Sequence, residues 1–167
     1  MTVLILVVLI TLIVSASCSL YEAVLYTTRP ATLEAAKTKS KRGKLAVQFI
    51  ALKKNISEPI AAILILNTIA NTAGATIAGM YATKVLGTTM VPLFSILLTL
   101  GILFLSEILP KTLGAVHWRG LWPVIVRPLQ IMSVVLKPAI FVTEKISRLI
   151  TRNQQTSTIT EEEILAL

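Results

Sequence analysis

Three long apolar runs organise the chain. The first opens at Thr2 and meets no charge until Glu22, about the 20 apolar residues that cross a bilayer as a helix. The second starts at Pro59, a residue suited to the first turn of a helix, and continues to Ala82. The third starts at Met90 and ends in the string Ser106-Glu107-Ile108-Leu109-Pro110-Lys111. The pattern predicts an all-α membrane protein with three transmembrane helices, over about 2–26, 59–82 and 90–110, within a transmembrane domain covering 1–115. No Lys or Arg precedes the first apolar run, and the first basic residue is Arg29. The run therefore reads as a retained helix and not as a signal peptide. From Trp118 to Leu149 the chain is still apolar, but Pro123, Arg127, Pro128, Lys137 and Pro138 break it up. That stretch predicts a juxtamembrane belt of amphipathic helices over 116–150, lying along the inner leaflet, with Trp118 and Trp122 at the bilayer interface. The alternative is a fourth, kinked span that would carry the tail outside. Residues 151–167 read as a polar linker and a helix start, with Glu161, Glu162 and Glu163 in its first turn, the beginning of a truncated cytoplasmic region.

Composition sharpens this picture. The chain is 54% hydrophobic and 14% charged, with a mean hydropathy of +0.80; soluble domains carry about 25% charged residues. All eight acids are glutamates, and there is one cysteine (Cys18) and one histidine (His117). That inventory excludes EF-hand loops, an intramolecular disulfide and a structural zinc site, and the low charge and high hydropathy argue against a soluble enzyme. The net charge of +8 is distributed as a topology signal. Eight of the sixteen basic residues lie between the first and second runs, Lys84 alone lies between the second and third, and seven follow the third. The positive-inside rule places the N-terminus outside and the first loop and C-terminal region in the cytoplasm of a cell-membrane protein. No nucleic-acid partner is needed to account for the charge.

A few polar residues inside the runs carry the candidate chemistry. Glu107 is a carboxylate within a span, which marks a functional site by default; the bland alternative is an i, i+4 pair with Lys111. Pro110 should break the third helix just below it and free carbonyl oxygens. In the second span Asn67 and Asn71 stand four residues apart on one face, with Gly74 on the same stripe. Amides in spans also serve as glue between helices. In the first span Ser15 and Ser19 repeat the spacing, with Glu22 one turn on. Together these are oxygen donors with a carboxylate or two, a ligand set for a hard cation such as Mg2+ or Na+. Their depths disagree, however. At about 1.5 Å per residue, Glu107 is roughly 26 Å below Met90 and Asn71 roughly 18 Å above Pro59, so straight, untilted spans do not align them. Small residues at Ala70, Gly74 and Ala78 predict close approach of another helix and a homodimer near the second and third spans.

The strings Ser15-Ala16-Ser17-Cys18-Ser19-Leu20-Tyr21-Glu22-Ala23, Asn67-Thr68-Ile69-Ala70-Asn71 and Ser106-Glu107-Ile108-Leu109-Pro110-Lys111 resemble the transmembrane (DUF21) domain of the CNNM/CorC family of magnesium transport proteins. The chain departs from the common pattern at Leu66 and Leu20, where glycine often stands. The resemblance implies Mg2+ export through an inward-facing site, coupled to Na+ entry; a membrane-anchored Mg2+ sensor without net flux is the alternative. It also implies a homodimer, contact with membrane lipid, and a following cytoplasmic pair of CBS modules, absent here, that binds ATP. Carried over by position, the metal site would use Ser15 or Ser19, Asn71 and Glu107, with Asn67 and Gly74 beside them. Pro110 would hold open the kink through which the site reaches the cytoplasm. Lys111 would contact lipid phosphate or a carbonyl, and Glu22 would bound the cavity or pair with a base at the membrane edge. Cys18 and His117 read as packing and interface residues.

Overall fold

Helix follows wherever the apolar runs predict it. The computed structural model describes residues 1–38, 42–142 and 145; the linker and helix start expected over 151–167 lie outside them. Helix α1 (Thr2–Thr27) is followed by two short helices, α2 (Pro30–Lys37) and α3 (Gly43–Lys54), and then by α4 (Ser57–Leu86). Gly87, with φ +78°, turns the chain, a backbone conformation that glycine adopts without a Cβ penalty. One turn of 3₁₀ helix (Thr88–Met90) leads into α5 (Val91–Gly101), a π-helical segment (Ile102–Ile108) and α6 (Leu109–Val135). Among the described residues three helical stretches are long and apolar enough to cross a membrane: Thr2–Thr27, Ser57–Leu86 and Thr88–Val135.

Hydroxyl side chains are buried between the spans, while the outer face of α1 is apolar. Thr11, Ser15, Ser19 and Ser106 are buried, while Val3, Ile5, Leu6, Leu9, Ile10 and Ile13 on α1 are each at least half exposed. A lipid surround stabilises such an arrangement, because the exposed apolar face needs no water and the hydroxyls find partners inside.

The larger apolar core among the described residues sits where the C-terminal end of α1 meets the helices that follow. Val24, Leu25, Leu33, Phe49, Trp118, Trp122, Ile125, Val126 and Leu129 cluster there, with Phe49 and Trp122 edge to face, 6.1 Å between ring centres. Lys53 donates to the Thr28 carbonyl at the end of α1, and burial there lowers the pKa of its ammonium. The expected interfacial tryptophans are thus core residues: Trp118 is 8% exposed and Trp122 2%. The expected belt begins at the His117 kink: one helix runs from there through Pro123 and Pro128 to Val135. Residues 137–142 are helical after a turn at Leu136, and the rest of 116–150 apart from 145 lies outside the described residues. Each internal proline costs about 3 kcal/mol. Against that stand five buried side chains of α6 (Trp118, Trp122, Ile125, Val126, Leu129) at about 1.5–3 kcal/mol each, and burial wins.

One further expectation is corrected. Pro110 does not break the third helix. It takes the first turn of α6, and the irregular backbone lies upstream, in the π segment, and downstream, in a kink at His117 (φ −100°, ψ 16°). The small-residue stripe of α4 is used within the chain: a Cβ on Gly74 would lie 2.1 Å from Thr11 Oγ1 of α1, and Ala78 is buried with Leu4, Ala82 and Leu98.

Candidate ion site between the spans

Three spans converge on one polar stripe. On α1, Thr11, Ser15 and Ser19 recur every four residues and are all buried. Thr11 donates to the Val7 carbonyl at 2.8 Å and so is satisfied within its own helix. Ser15 is not. Its hydroxyl donates to Asn67 Oδ1 across the α1–α4 contact at 2.7 Å. The missing side chain of Gly74 lets α4 lie this close to α1. Ser19 is buried one turn beyond Ser15.

One turn along α4 from Asn67, Asn71 reaches the third span. Its Nδ2 donates to Glu107 Oε1 at 3.4 Å, longer than the usual 2.7–3.2 Å range. Its Oδ1 is buried and has no hydrogen-bond partner. A buried amide oxygen left unpaired costs about 1–3 kcal/mol, so its lone pairs sit in want of a donor or a cation. The π segment aims Glu107 here. A π turn inserts one residue into the helical register and is frequent at functional sites; in this segment Ser106 and Glu107 both turn inward. Ser106 is fully buried and donates to the Leu12 carbonyl of α1 at 3.1 Å, which pins the segment against the first span. Sequence reasoning passed over Ser106 and Thr11. Serine at 106 had only its place in the quoted string, and Thr11 needed the observation that it shares the stripe of Ser15 and Ser19.

The depths that straight spans failed to align agree when counted from the turn the two helices share. Asn71 lies fifteen residues before Leu86, and Glu107 sixteen after Val91, about 22 and 24 Å at 1.5 Å per residue. The discrepancy came from closing α4 at Ala82, whereas it runs on to Leu86.

Just below the stripe, Lys111 Nζ pairs with Glu22 Oε2 at 3.1 Å. Of the readings open for these residues, Glu22 takes the ion pair at the membrane edge. Lys111 takes that carboxylate in place of lipid or of Glu107. Cys18 is buried in the apolar core, as a packing residue is, and His117 marks the α6 kink.

The donors gathered are hydroxyls, amides and one carboxylate. Among the described residues no three His, Cys, Asp or Glu side chains group as a metal cluster. An oxygen set with a single charge suits a hard cation that keeps part of its water.

Fold and site together define a three-span helical membrane protein with an oxygen-lined polar stripe between its spans. The chain belongs to the CNNM family: residues 4–167 match the model of the Cyclin M transmembrane N-terminal domain, a transporter-type membrane family associated with Mg2+ transport. It is also 30% identical over 155 residues to the UPF0053 protein sll1254 of Synechocystis sp., an alignment covering 93% of this chain and 44% of that protein. The chain thus spans less than half the length of that relative.

Proposed function

We propose that this domain carries Mg2+ out of the cell in exchange for Na+, through a site that opens to the cytoplasm and uses Ser15, Ser19, Asn67, Asn71 and Glu107, with Gly74 holding α1 and α4 together. The observation that carries the reading is the buried, unpartnered Oδ1 of Asn71 one amide away from the Glu107 carboxylate. A divalent cation there takes a charge from Glu107, carbonyl oxygen from the asparagines and hydroxyl oxygen from the serines, and retains water for the remaining positions. The loop of eight basic residues after the first span supports an outside N-terminus. ATP belongs to the cytoplasmic CBS pair expected beyond this domain.

The same proposal includes a homodimer, now on a different face. Thr68, Thr72 and Thr76 are exposed on α4, and each hydroxyl donates to the carbonyl four residues before it. Their polarity is satisfied internally, which leaves a flat stripe of small side chains suited to a second helix.

Liposomes carrying the purified protein test the function. Mg2+ efflux that rises with an opposing Na+ gradient, and Mg2+ binding lost in Glu107→Gln, are the expected results. Unchanged Mg2+ affinity in Glu107→Gln sinks the site. Binding without flux makes the domain a membrane-anchored sensor.

A further inference from the structure

We propose that Lys111 is the counter-cation of this site, an ammonium that Glu22 holds aside while Glu107 serves the metal and that moves to Glu107 when the metal leaves. The inference rests on the reading of Glu107 as an ion ligand. Glu107 and Lys111 are four residues apart on one continuous helical stretch, glutamate first, the order in which the two side chains meet most favourably. The structure nevertheless pairs Lys111 across to Glu22 on α1, at 3.1 Å, and leaves Glu107 a single long hydrogen bond from Asn71. Lys111 thus pairs with a carboxylate on α1, while a second carboxylate stands four residues before it on its own helical stretch. The arrangement seen is the one that keeps the Glu107 carboxylate free for a cation.

The chemistry of the three groups fits exchange. Lys111 has a flexible four-carbon stem and is 53% exposed, and Glu22 is 34% exposed. A pair this open to solvent is weak and separates readily. Glu107 is half-buried within a span, where a carboxylate with no opposing charge is costly. A site that releases its cation must cover that cost, and Lys111 is the nearest base in sequence on the same helix. Lys111 thereby competes with the metal, and Glu22 sets how strongly it does so by drawing it away.

Opposite signs follow for the two partners of one ion pair. Lys111→Gln removes the competitor, so Mg2+ should bind more tightly, by about fivefold or more, the low end of typical coupling between sites, while release and turnover slow. Glu22→Gln frees Lys111 to occupy Glu107, so Mg2+ should bind more weakly by a similar factor. Lys111→Arg should keep near-native affinity, and the Glu22→Gln/Lys111→Gln double variant should behave as Lys111→Gln alone. Isothermal titration of the full chain in lipid discs with Mg2+, beside flux in liposomes, reads all four; Lys111→Met replaces Lys111→Gln if that variant does not fold. Affinity moving in the same direction in both single variants, or in neither, overturns the proposal and leaves the pair a structural tie between α1 and α6. Absence of Mg2+ binding by the unaltered chain overturns the metal reading itself and this proposal with it.

Discussion

At Gly74 a single absent methyl group decides whether α1 and α4 can meet. A Cβ there would lie 2.1, 2.7 and 2.9 Å from Oγ1, Cγ2 and Cβ of Thr11. Thr11 cannot swing aside at little cost, because a β-branched side chain on a helix has few rotamers and its hydroxyl is bonded to Val7. Gly74→Ala should therefore push the helices apart and destabilise the fold by about 1–3 kcal/mol. It should also weaken ion binding, since the Ser15–Asn67 bond spans the same contact. Gly79 lies five residues on in the same helix, and a Cβ there meets nothing within 4 Å. Gly79→Ala should leave stability level or raise it by up to about 1 kcal/mol through helix propensity. Thermal unfolding of the two variants in the same detergent gives the comparison, and equal midpoints would remove Gly74 from its role. The polar residues themselves were legible in the sequence. Ser15, Asn67, Asn71 and Glu107 interrupt apolar runs, and a polar group in a span must find a partner. What spacing could not supply was the pairing, which depends on how the helices are rotated against one another.

The π segment is the element on which the site turns. Ile102–Ile108 is followed immediately by Leu109 and Pro110. Proline in a helix withholds the donor that the carbonyl four residues earlier, Ser106, would take, and crowds that carbonyl. A widened turn just upstream accommodates this without a break, and it carries Ser106 and Glu107 inward together. Pro110→Ala restores the missing donor and should let the segment return to α-helical register at unchanged length, which rotates Glu107 by about 100° relative to α5, one residue's share of a 3.6-residue turn. Mg2+ binding should then fall below detection while the helical circular dichroism of the protein stays within a few per cent. Retained binding in Pro110→Ala would show that the π turn does not aim the carboxylate. The spans were legible because hydropathy is a one-dimensional property that needs no knowledge of neighbours. The π turn was not, since no glycine or proline lies within 102–108 and its cause at Pro110 argues equally for a kink. The proline-interrupted stretch after Trp118 misled for the opposite reason. Local breakers were visible, and the core of Phe49, Leu25 and Leu33 that overrides them was not.

Across the whole molecule, depth determines which side of the membrane the site serves. Asn71 and Glu107 lie about 22–24 Å along their helices from the Gly87 turn, in a hydrocarbon layer about 30 Å thick. With the positive-inside assignment that turn is outside, so the inner boundary is roughly 6–8 Å away by the same measure, and Glu22 and Lys111 sit between the site and the cytoplasm. On the proposed orientation an aqueous path is short from within and long from without. Cysteines placed at Ala70 and Thr72, on either side of Asn71, should react with a membrane-impermeant thiol reagent applied to the cytoplasmic face, and Mg2+ should slow the reaction. The native background is low: the chain has one cysteine, Cys18, and it is 1% exposed. Inside-out and right-side-out vesicles bearing the same variants separate the two faces. Thr72 is exposed on the α4 stripe assigned to the dimer, so protection there by Mg2+ alone, with none at Ala70, would point to a change at the interface and not to a ligand in the cavity. Labelling only from outside would reverse the topology and the inward opening together, because both follow from the same placement of Lys84 and the eight bases of the first loop.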